Sequence, residues 1–271
     1  MPADTPSLEA TIDKGCWTPI VRIGFAENEA NASDKTTFEA VLEQSDGSKF
    51  SITQHGDSVG KVAWGMTGEH NVMNGLSAIV ASHHVGVPIQ TACEALSNFA
   101  GIKRRMELIG EFDINGKTVH IYDDFAHHPT AITTTLDGAK KKFTSQTSED
   151  NLATKPFKLW AIIEPRSNTM KLGIHKDNLA SSANLADTVI WYEPKGLEWG
   201  LSTVIDEAVN SQQLTISQTV VGDTQAIIEQ IVSSIQADAD KTHHAVVIMS
   251  NGGFEGIHKR LCNAIYQLSQ T

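Results

Sequence analysis

Long apolar runs are missing from this sequence, since no stretch of about 18 consecutive apolar residues occurs in it. We therefore predict no membrane-spanning helix. Cysteine is also scarce, and the three that occur, Cys16, Cys93 and Cys262, lie far apart. A small, odd-numbered set does not suggest a disulfide scaffold or a zinc knuckle, and it is typical of a reducing compartment. The polar N-terminus is unlike a signal peptide, so we expect a cytoplasmic location.

Positive charge is in short supply as well. The 271 residues include 21 lysines and arginines against 32 aspartates and glutamates, which gives a formal net charge of −11. Nucleic-acid and membrane-surface binders need clustered cations to contact phosphates, so the composition predicts neither kind of partner. What the chain does have is a hydrophobic content of 40%, enough for one large domain or two modest ones.

The first part of the chain is predicted to form short strands followed by two helices. β-Branched and aromatic residues favour the strands, and an Asp-Gly dipeptide signals a turn. Apolar residues at helical spacing, ended by Gly and Pro, predict the helices. These elements are strands at 20–25 and 38–42, a turn at 46–47, and helices from Glu69 to about 86 and over about 89–99. The end of the second helix marks a domain boundary, which divides residues 1–98 from 99–271.

The second part alternates between strands and helices after an initial hairpin. The Asn115-Gly116 dipeptide between two strand-like runs indicates a type I′ turn. The alternation that follows predicts an α/β fold with a mostly parallel sheet and helices on both faces. The Ser/Thr/Asp-rich segment 144–156 is predicted to be a mobile loop. The predicted strands are 105–112, 117–122, 157–163, 188–192, 218–221 and 245–249, and the predicted helices are 130–143, 176–185, 201–209, 224–235 and 254–268.

The densest group of ionisable side chains follows one predicted strand and precedes a helix. Asp123, Asp124, His127 and His128 stand within six residues, just before Pro129. Ligands of an α/β sheet usually bind where strands end, so this group predicts a functional site. Asp124 could bind a ribose hydroxyl or a metal ion, and Pro129 could begin the helix. A helix cap with incidental histidines is the alternative, but four ionisable groups exceed what a cap needs.

Two other stretches carry groups that suit a nucleotide. Asn71 and Asn74 share a helix face near a predicted N-terminus, where amides could read a base edge. Plain N-capping by Asn is the alternative there. Lys103, Arg104 and Arg105 stand together at the predicted domain boundary, where cations could bind a phosphate. For these cations the alternative is a solubilising linker.

Two later strand ends carry groups that suit an anion. Arg166 follows one strand and could bind a carboxylate through paired hydrogen bonds. The Gly-rich run 250–256 follows the last predicted strand and opens a helix, a place where backbone N–H groups can hold an anion. A tight turn that needs glycine is the alternative. The histidine pair at 83–84 lies at a predicted helix end and the pair at 243–244 just before a predicted strand, so we predict that both lie at the surface.

Taken together, these stretches resemble the signature motifs of the Mur ligases, the ATP-dependent amide-forming enzymes of peptidoglycan synthesis. Residues 70–79 are similar to the HNxxNxLAA helix of that family and residues 99–107 to its FxGxxxRxE linker. Residues 123–129 are similar to the DDYAHHP loop of the branch that uses UDP-N-acetylmuramate. Residues 164–173 and 250–254 resemble two loops of the murein peptide ligases, whereas the family member that adds L-alanine differs at the first of them.

The resemblance implies an ATP- and Mg²⁺-dependent peptide ligase of cell-wall recycling. Such an enzyme joins UDP-N-acetylmuramate to the murein tripeptide, L-alanyl-γ-D-glutamyl-meso-diaminopimelate, through an acyl-phosphate intermediate. Carried over by position, the implied ATP-binding residues are His70, Asn71 and Asn74 at the adenine, Asp124 at the ribose and Arg105 at the phosphates. The implied tripeptide-binding residues, on loop position alone, are Arg166, Ser167, Asn168 and Asn251.

One departure from the family plan bears on the expected activity. The sequence has no GxxGKT/S phosphate loop, and its segment 34–37, Asp-Lys-Thr-Thr, lacks the glycines that let backbone amides wrap a phosphate. No N-terminal nucleotide-sugar domain is recognisable. We therefore expect a C-terminal fragment, with 1–98 as the last part of the central ATP-binding domain and 99–271 as the Rossmann-like C-terminal domain. No catalytic residue is assigned, most magnesium ligands would lie elsewhere, and the fragment alone is expected to be inactive.

Two hypotheses from other classes stay open. The first is a metal-dependent phosphoesterase with Asp123, Asp124, His127 and His128 as ligands. It leaves the other motifs unexplained. The second is a stand-alone peptide-binding module.

Overall fold

The computed structural model describes residues 1–3, 5–26, 36–149, 157–166, 172–193, 197, 199–210, 216–238 and 242–270. Within them the chain folds into two compact units, Met1–Gly101 and Ile102–Thr271. Across these ranges, no helix combines the length and the apolar character needed to cross a membrane.

The first unit is a four-stranded sheet whose core is covered by the two later of its helices. Its elements are α1 (Pro6–Ile12), β1 (Ile23–Phe25), β2 (Phe38–Leu42), β3 (Lys49–Gln54), β4 (Asp57–Ala63), α2 (Glu69–His84) and α3 (Ile89–Ser97). The strands stand in chain order, with β1 parallel to β2 and the other pairs antiparallel. Apolar residues of α2 at helical spacing, Val72, Leu76 and Ile79, are buried in one core with Phe50 and Ile52 of β3.

Helix α1 departs from the prediction of strands and turns in this region. Pro6 occupies its first turn, a favourable position for proline, yet none of its residues is buried. A helix without a buried face has no apolar period, so the sequence pattern could not reveal it. By contrast, the strand at 38–42 and the turn at 46–47, which joins β2 to β3, are confirmed.

The second unit is a six-stranded α/β sheet. Its elements are β5 (Glu107–Ile114), β6 (Lys117–Asp124), α4 (Pro129–Glu149), β7 (Phe157–Ile163), α5 (Lys176–Ser182), β8 (Thr188–Tyr192), α6 (Leu201–Asn210), β9 (Ser217–Val221), α7 (Thr224–Ala237), β10 (His243–Met249), a short 3₁₀ turn (Phe254–Gly256) and α8 (Ile257–Ser269). The strand order is β5-β6-β10-β7-β8-β9, and of these strands β5 alone runs antiparallel to its neighbour. Asn115 and Gly116, with φ of 54° and 84°, form the predicted hairpin turn, because a type I′ turn needs positive φ at both positions.

Helices cover both faces of this sheet because successive strand residues point to opposite sides. Leu159, Ala161 and Ile163 of β7 are buried in the core that α4, α5 and α6 cover. Trp160 and Ile162 are buried in the core that α7 and α8 cover on the other face. Burial on both sides is expected of parallel strands. The predicted α/β class, a mostly parallel sheet with helices on both faces, is confirmed.

The predicted polar loop at 144–156 is wrong in its first part, because α4 continues through Glu149. The Oγ1 hydroxyl of Thr144 donates a hydrogen bond to the Lys140 carbonyl over 2.8 Å. A hydroxyl that bonds back to the preceding turn is satisfied inside a helix, so a polar composition does not end the helix there. Residues 150–156 lie outside the described residues.

The prediction that residues 243–244 lie at the surface is wrong for His244, which is fully buried. Strand alternation places His244 on the same side of β10 as Val246 and Ile248, which belong to the core under α7 and α8. Its Nδ1 atom accepts a hydrogen bond from the Trp160 indole over 3.3 Å. His244 is therefore a core residue, and one of its two ring nitrogens has a hydrogen-bond partner.

Candidate functional site

Three loops begin side by side at the carboxyl edge of the six-stranded sheet. Asp124, the last residue of β6, pairs with Met249 of β10, and Met249 pairs with Ile163 of β7. Neighbouring parallel strands that end at one level bring their following loops together, which is the usual ligand edge of such sheets. The loops are 125–128, 164–166 and 250–253.

Asp124 is buried at this edge and joins the segment just before β5 to the loop after β6. It is 3% exposed. Its Oδ2 accepts from the Met106 backbone N–H over 2.8 Å, and its Oδ1 accepts from the Ala126 N–H over 2.7 Å and the Thr135 hydroxyl over 3.3 Å. Burial raises the pKa of the Asp124 carboxyl, and these hydrogen bonds oppose the rise. Of about four lone-pair sites on a carboxylate, three are thus used within the protein.

Arg104 connects the linker to two strand ends. Its Nε lies 3.3 Å from Asp123 Oδ2, and its Nη2 donates to the carbonyls of Ser250 and Gly252 over 2.5 and 2.9 Å. Its backbone lies in the left-handed region, with φ of 59°, which an arginine adopts only when its surroundings hold it there. The guanidinium is committed to the chain's own groups, so Arg104 is more than part of a solubilising linker. Sequence spacing gave no signal for this contact, which spans 146 residues to Ser250.

Phe125 contacts both arginines of the linker. The Cζ atoms of Arg104 and Arg105 lie 5.3 and 5.5 Å from the centroid of its ring, within the range of cation–π attraction. Arg105 is exposed, in contrast to the partly buried Arg104. Its guanidinium therefore remains accessible to an anion.

The loop at 250–253 lies against the guanidinium of Arg166. The Ser250 hydroxyl donates to the buried carboxylate of Glu164 and accepts from the Gly252 N–H over 2.9 Å. A Cβ at position 252 would stand 2.5 Å from Arg166 Nη1, so only glycine leaves room for the arginine. The Arg166 side chain is 50% exposed, and its Nη1 is 3.9 Å from Glu164 Oε1. Asn251 Oδ1 is a buried acceptor with no hydrogen-bond partner among the described residues.

The two histidines of the 125–128 loop have separate partners. His127 Nδ1 lies 2.9 Å from the Phe125 carbonyl. The Thr130 N–H donates to His128 Nδ1 over 3.3 Å, which places the hydrogen of the neutral ring on Nε2, 3.0 Å from His175 Nε2. Partial burial, and then the neighbouring His175 and His127, lower the pKa of His128. The neutral form that these contacts require is therefore favoured.

The ionisable groups that the sequence brings together do not converge in space on a single point. Asp123 Oδ1 lies 3.1 Å from His258 Nε2, a contact that sequence reasoning missed. Asp124 and His128 have the other partners given above. In the described ranges, no group of three or more His, Cys, Asp or Glu side chains is placed to hold a metal ion. Pro129 begins α4 as predicted.

A second cluster that the sequence did not reveal lies beyond the end of β8. Glu255, at φ of 48°, accepts from the Tyr192 hydroxyl over 2.7 Å and the Thr224 hydroxyl over 3.0 Å. Burial, followed by the Glu255 hydrogen bond, raises the pKa of Tyr192 to about 12. The phenol is therefore a permanent donor at neutral pH and fixes the entry to α8.

In the first unit, the predicted adenine-binding residues lie in the first turns of α2. His70 and Asn74 are exposed there. Asn71 does not cap the helix, because Gly68 holds the N-cap position with φ of 95°. The Asn71 side-chain amide donates instead to the Thr67 carbonyl over 2.8 Å. Two predicted tripeptide-binding residues, Ser167 and Asn168, lie outside the described residues.

Comparisons with known proteins point to one group of enzymes. No family model matches the chain. It is 35% identical over 263 residues to the UDP-N-acetylmuramate–L-alanyl-γ-D-glutamyl-meso-2,6-diaminoheptandioate ligase of Haemophilus influenzae, covering 97% of this chain and 51% of that protein. For the Escherichia coli enzyme of that name the identity is 36% over 264 residues, covering 97% and 50%. A solved murein peptide ligase from Psychrobacter arcticus matches with a TM-score of 0.67 and 52% identity, covering 98% of this chain and 50% of that one. The chain spans about half the length of the curated relatives it matches.

Proposed function

We propose, from the premise that this chain belongs to the Mur ligase family and is homologous to its murein peptide ligases, that it carries the tripeptide-binding side of an ATP-dependent amide ligase. The reaction joins UDP-N-acetylmuramate to L-alanyl-γ-D-glutamyl-meso-diaminopimelate in cytoplasmic peptidoglycan recycling. ATP transfers its γ-phosphoryl group to the muramate carboxylate. The alanyl amine then attacks the acyl phosphate, loses a proton and displaces inorganic phosphate. Positioning and charge stabilisation supply most of the catalysis.

The half-exposed side chain of Arg166 is the observation that carries this proposal. The Arg104 guanidinium contacts two carbonyls and a carboxylate. Arg166 differs, because its carboxylate partner is 3.9 Å away and half of its side chain is exposed. A guanidinium whose donors have no aligned partner among the described residues, held against a glycine at a ligand edge, suits a carboxylate in bidentate fashion. We assign it to a carboxylate of the tripeptide, with Asn251 beside it and Ser167 and Asn168 following in sequence.

The nucleotide contacts are proposed on weaker geometric support. Arg105, on the linker, is exposed and suits a phosphate. Asp124 keeps about one free lone-pair site, which suffices to accept from one ribose hydroxyl. In the first unit, His70, Asn71 and Asn74 are proposed for the adenine. Mg²⁺ accompanies ATP, and we place its ligands in the part of the relatives that this chain does not cover.

Calorimetric titration of the chain with the tripeptide tests the assignment of Arg166. We expect saturable binding by the wild type and an affinity at least about tenfold lower for Arg166→Gln, since a hydrogen-bonded ion pair contributes about 1.5–3 kcal/mol. Lys259→Gln, a change at an exposed cation on α8, serves as the matched control and should bind like the wild type. Absence of tripeptide binding by the wild type would contradict the proposal.

An ATP-dependent ligation assay tests whether this chain alone can catalyse the reaction. With UDP-N-acetylmuramate, tripeptide, ATP and Mg²⁺ supplied, we expect the chain alone to release no phosphate and form no amide. The reason is that the sequence offers no glycine-rich phosphate loop. Turnover above the background without protein would show that this chain is sufficient for the reaction.

A further inference from the structure

Asp123 and His258 form a buried pair to which the proposed function gives no role. Asp123 is 9% exposed, and its Oδ1 lies 3.1 Å from His258 Nε2. Both atoms are shielded from solvent, and neither has a fully aligned hydrogen bond to any described group. Two bare acceptors at this distance would repel each other, so we infer that the imidazole carries its hydrogen on Nε2, the nitrogen nearest the carboxylate. The pair thus links the start of α8 to the end of β6.

The other oxygen of Asp123 continues the connection to Arg104. Asp123 Oδ2 lies 3.3 Å from Arg104 Nε, on the side of the carboxylate that His258 leaves open. Arg104 in turn donates to the carbonyls of Ser250 and Gly252, at 2.5 and 2.9 Å. A continuous chain of polar contacts therefore runs from His258 through the carboxylate and the guanidinium to the loop at 250–253.

Loop 250–253 in turn fixes the place of Arg166. The Gly252 backbone is so close to Arg166 that an added Cβ would stand 2.5 Å from Nη1 and 2.9 Å from Cδ. A shift of this loop by a few tenths of an ångström would move the guanidinium or open a gap beside it. Bidentate pairing with a carboxylate depends on the direction of the guanidinium fork, so such a shift lowers affinity for the ligand.

We propose that His258 and Asp123 are positioning residues for the tripeptide: they orient Arg104, which holds the Ser250 and Gly252 carbonyls and thereby sets the loop against which Arg166 binds. Neither residue touches the ligand in this scheme. The inference rests on the proposed function, because the ligand whose affinity depends on the position of Arg166 is the tripeptide.

Two variants of His258 with opposite chemistry test the proposal. His258→Leu removes the hydrogen-bond donor, and we expect tripeptide affinity to fall about tenfold in calorimetry. His258→Gln keeps an N–H donor near the place of Nε2, and we expect affinity within about threefold of the wild type. His84→Leu, at an exposed histidine of the first unit, is the control and should leave affinity unchanged. If His258→Leu fails to fold, Asp123→Asn replaces it, because the amide keeps the shape and removes the charge that faces Arg104.

A second readout follows Arg104 directly and needs no ligand. In ¹⁵N–¹H spectra the Arg104 Nε–H signal, assigned by its loss in Arg104→Lys, should be protected from exchange in the wild type and in His258→Gln. It should lose protection in His258→Leu and in Asp123→Asn. Tight tripeptide binding by folded His258→Leu would overturn the inference, and so would a weakened affinity with an unchanged Arg104 signal. A wild type that binds no tripeptide but shows the expected Arg104 signals would refute the proposed function and leave the contact chain standing.

Discussion

At the carboxyl edge of the six-stranded sheet, Asp123 lies 3.1 Å from His258, and at the amino edge His244 lies 3.9 Å from Asp238. Both pairs combine a carboxylate with an imidazole, yet their surroundings differ. His244 is fully buried, and burial, only partly opposed by Asp238, lowers its pKa to about 4. It is therefore neutral and belongs to the core, whereas the side chain of His258 is 18% exposed and contacts Asp123.

The cations at the two edges differ in how far they are paired within the protein. At the amino edge, Lys158 Nζ bonds Asp238 over 3.0 Å, and Lys117 Nζ donates to the carbonyls of Ile235 and Gln236 at the end of α7 over 2.9 and 3.0 Å. These ammonium groups are paired with acceptors of the protein itself, as cations at a helix C-terminus commonly are. At the carboxyl edge, Arg166 keeps half of its side chain exposed. A cation with donors left over, rather than charge as such, distinguishes the candidate site.

Asp124→Ala is the change expected to damage the carboxyl edge most. It removes the acceptor of three buried donors, the Met106 and Ala126 N–H groups and the Thr135 hydroxyl. We expect the free energy of unfolding, measured in urea, to fall by about 3–5 kcal/mol. The control Asp137→Ala breaks a partly exposed pair with Lys141 within α4 and should cost at most about 0.5 kcal/mol. Equal losses in the two variants would mean that Asp124 is not the structural centre of this edge.

Lowering the pH should weaken the amino edge through His244. Its folded-state pKa of about 4 lies below the ordinary value of 6.5, so the unfolded chain takes up a proton first. The stabilisation is complete above pH 6.5 and is lost as the pH falls toward 4, by about 3 kcal/mol in all and about 2 kcal/mol between pH 7 and pH 5. Urea unfolding at these two pH values should show this loss in the wild type and a correspondingly smaller loss in His244→Leu. Identical pH dependence in both proteins would exclude His244 as its source.

Gly252→Ala should separate binding from stability at the carboxyl edge. The new Cβ would meet the end of the Arg166 side chain, which can swing away, so we expect the free energy of unfolding to change by less than about 1 kcal/mol. Tripeptide affinity should fall about tenfold, because the added methyl group displaces the Arg166 guanidinium from its position beside residue 252. Gly253→Ala is the matched control, since nothing lies within 4 Å of its added Cβ and its φ of −82° suits alanine. Unchanged tripeptide affinity in Gly252→Ala would show that the loop at 250–253 does not contribute to peptide recognition.

Local patterns in the sequence predicted the elements well but not their long-range contacts. The strands at 38–42, 157–163 and 188–192 match the structure residue for residue, because apolar runs and turn residues record local geometry. The position of Asp124 at the end of β6 also agrees with the prediction, since strand ends are recorded locally in the sequence. The contacts of Arg104 with Ser250 and of Asp123 with His258 were not found. They depend on which strands become neighbours, and no local period contains that information.

The central position of β10 has a consequence for how this chain is made. It is the last described strand in sequence, yet it lies between β6 and β7 and pairs with both. During synthesis, β6 and β7 leave the ribosome well before the strand that joins them, so the middle of the sheet cannot close until residue 249 has emerged. Until then, two apolar strand edges wait without a partner. A chain cut short after α7 would keep those edges open as a template for aggregation rather than lose only its last helix.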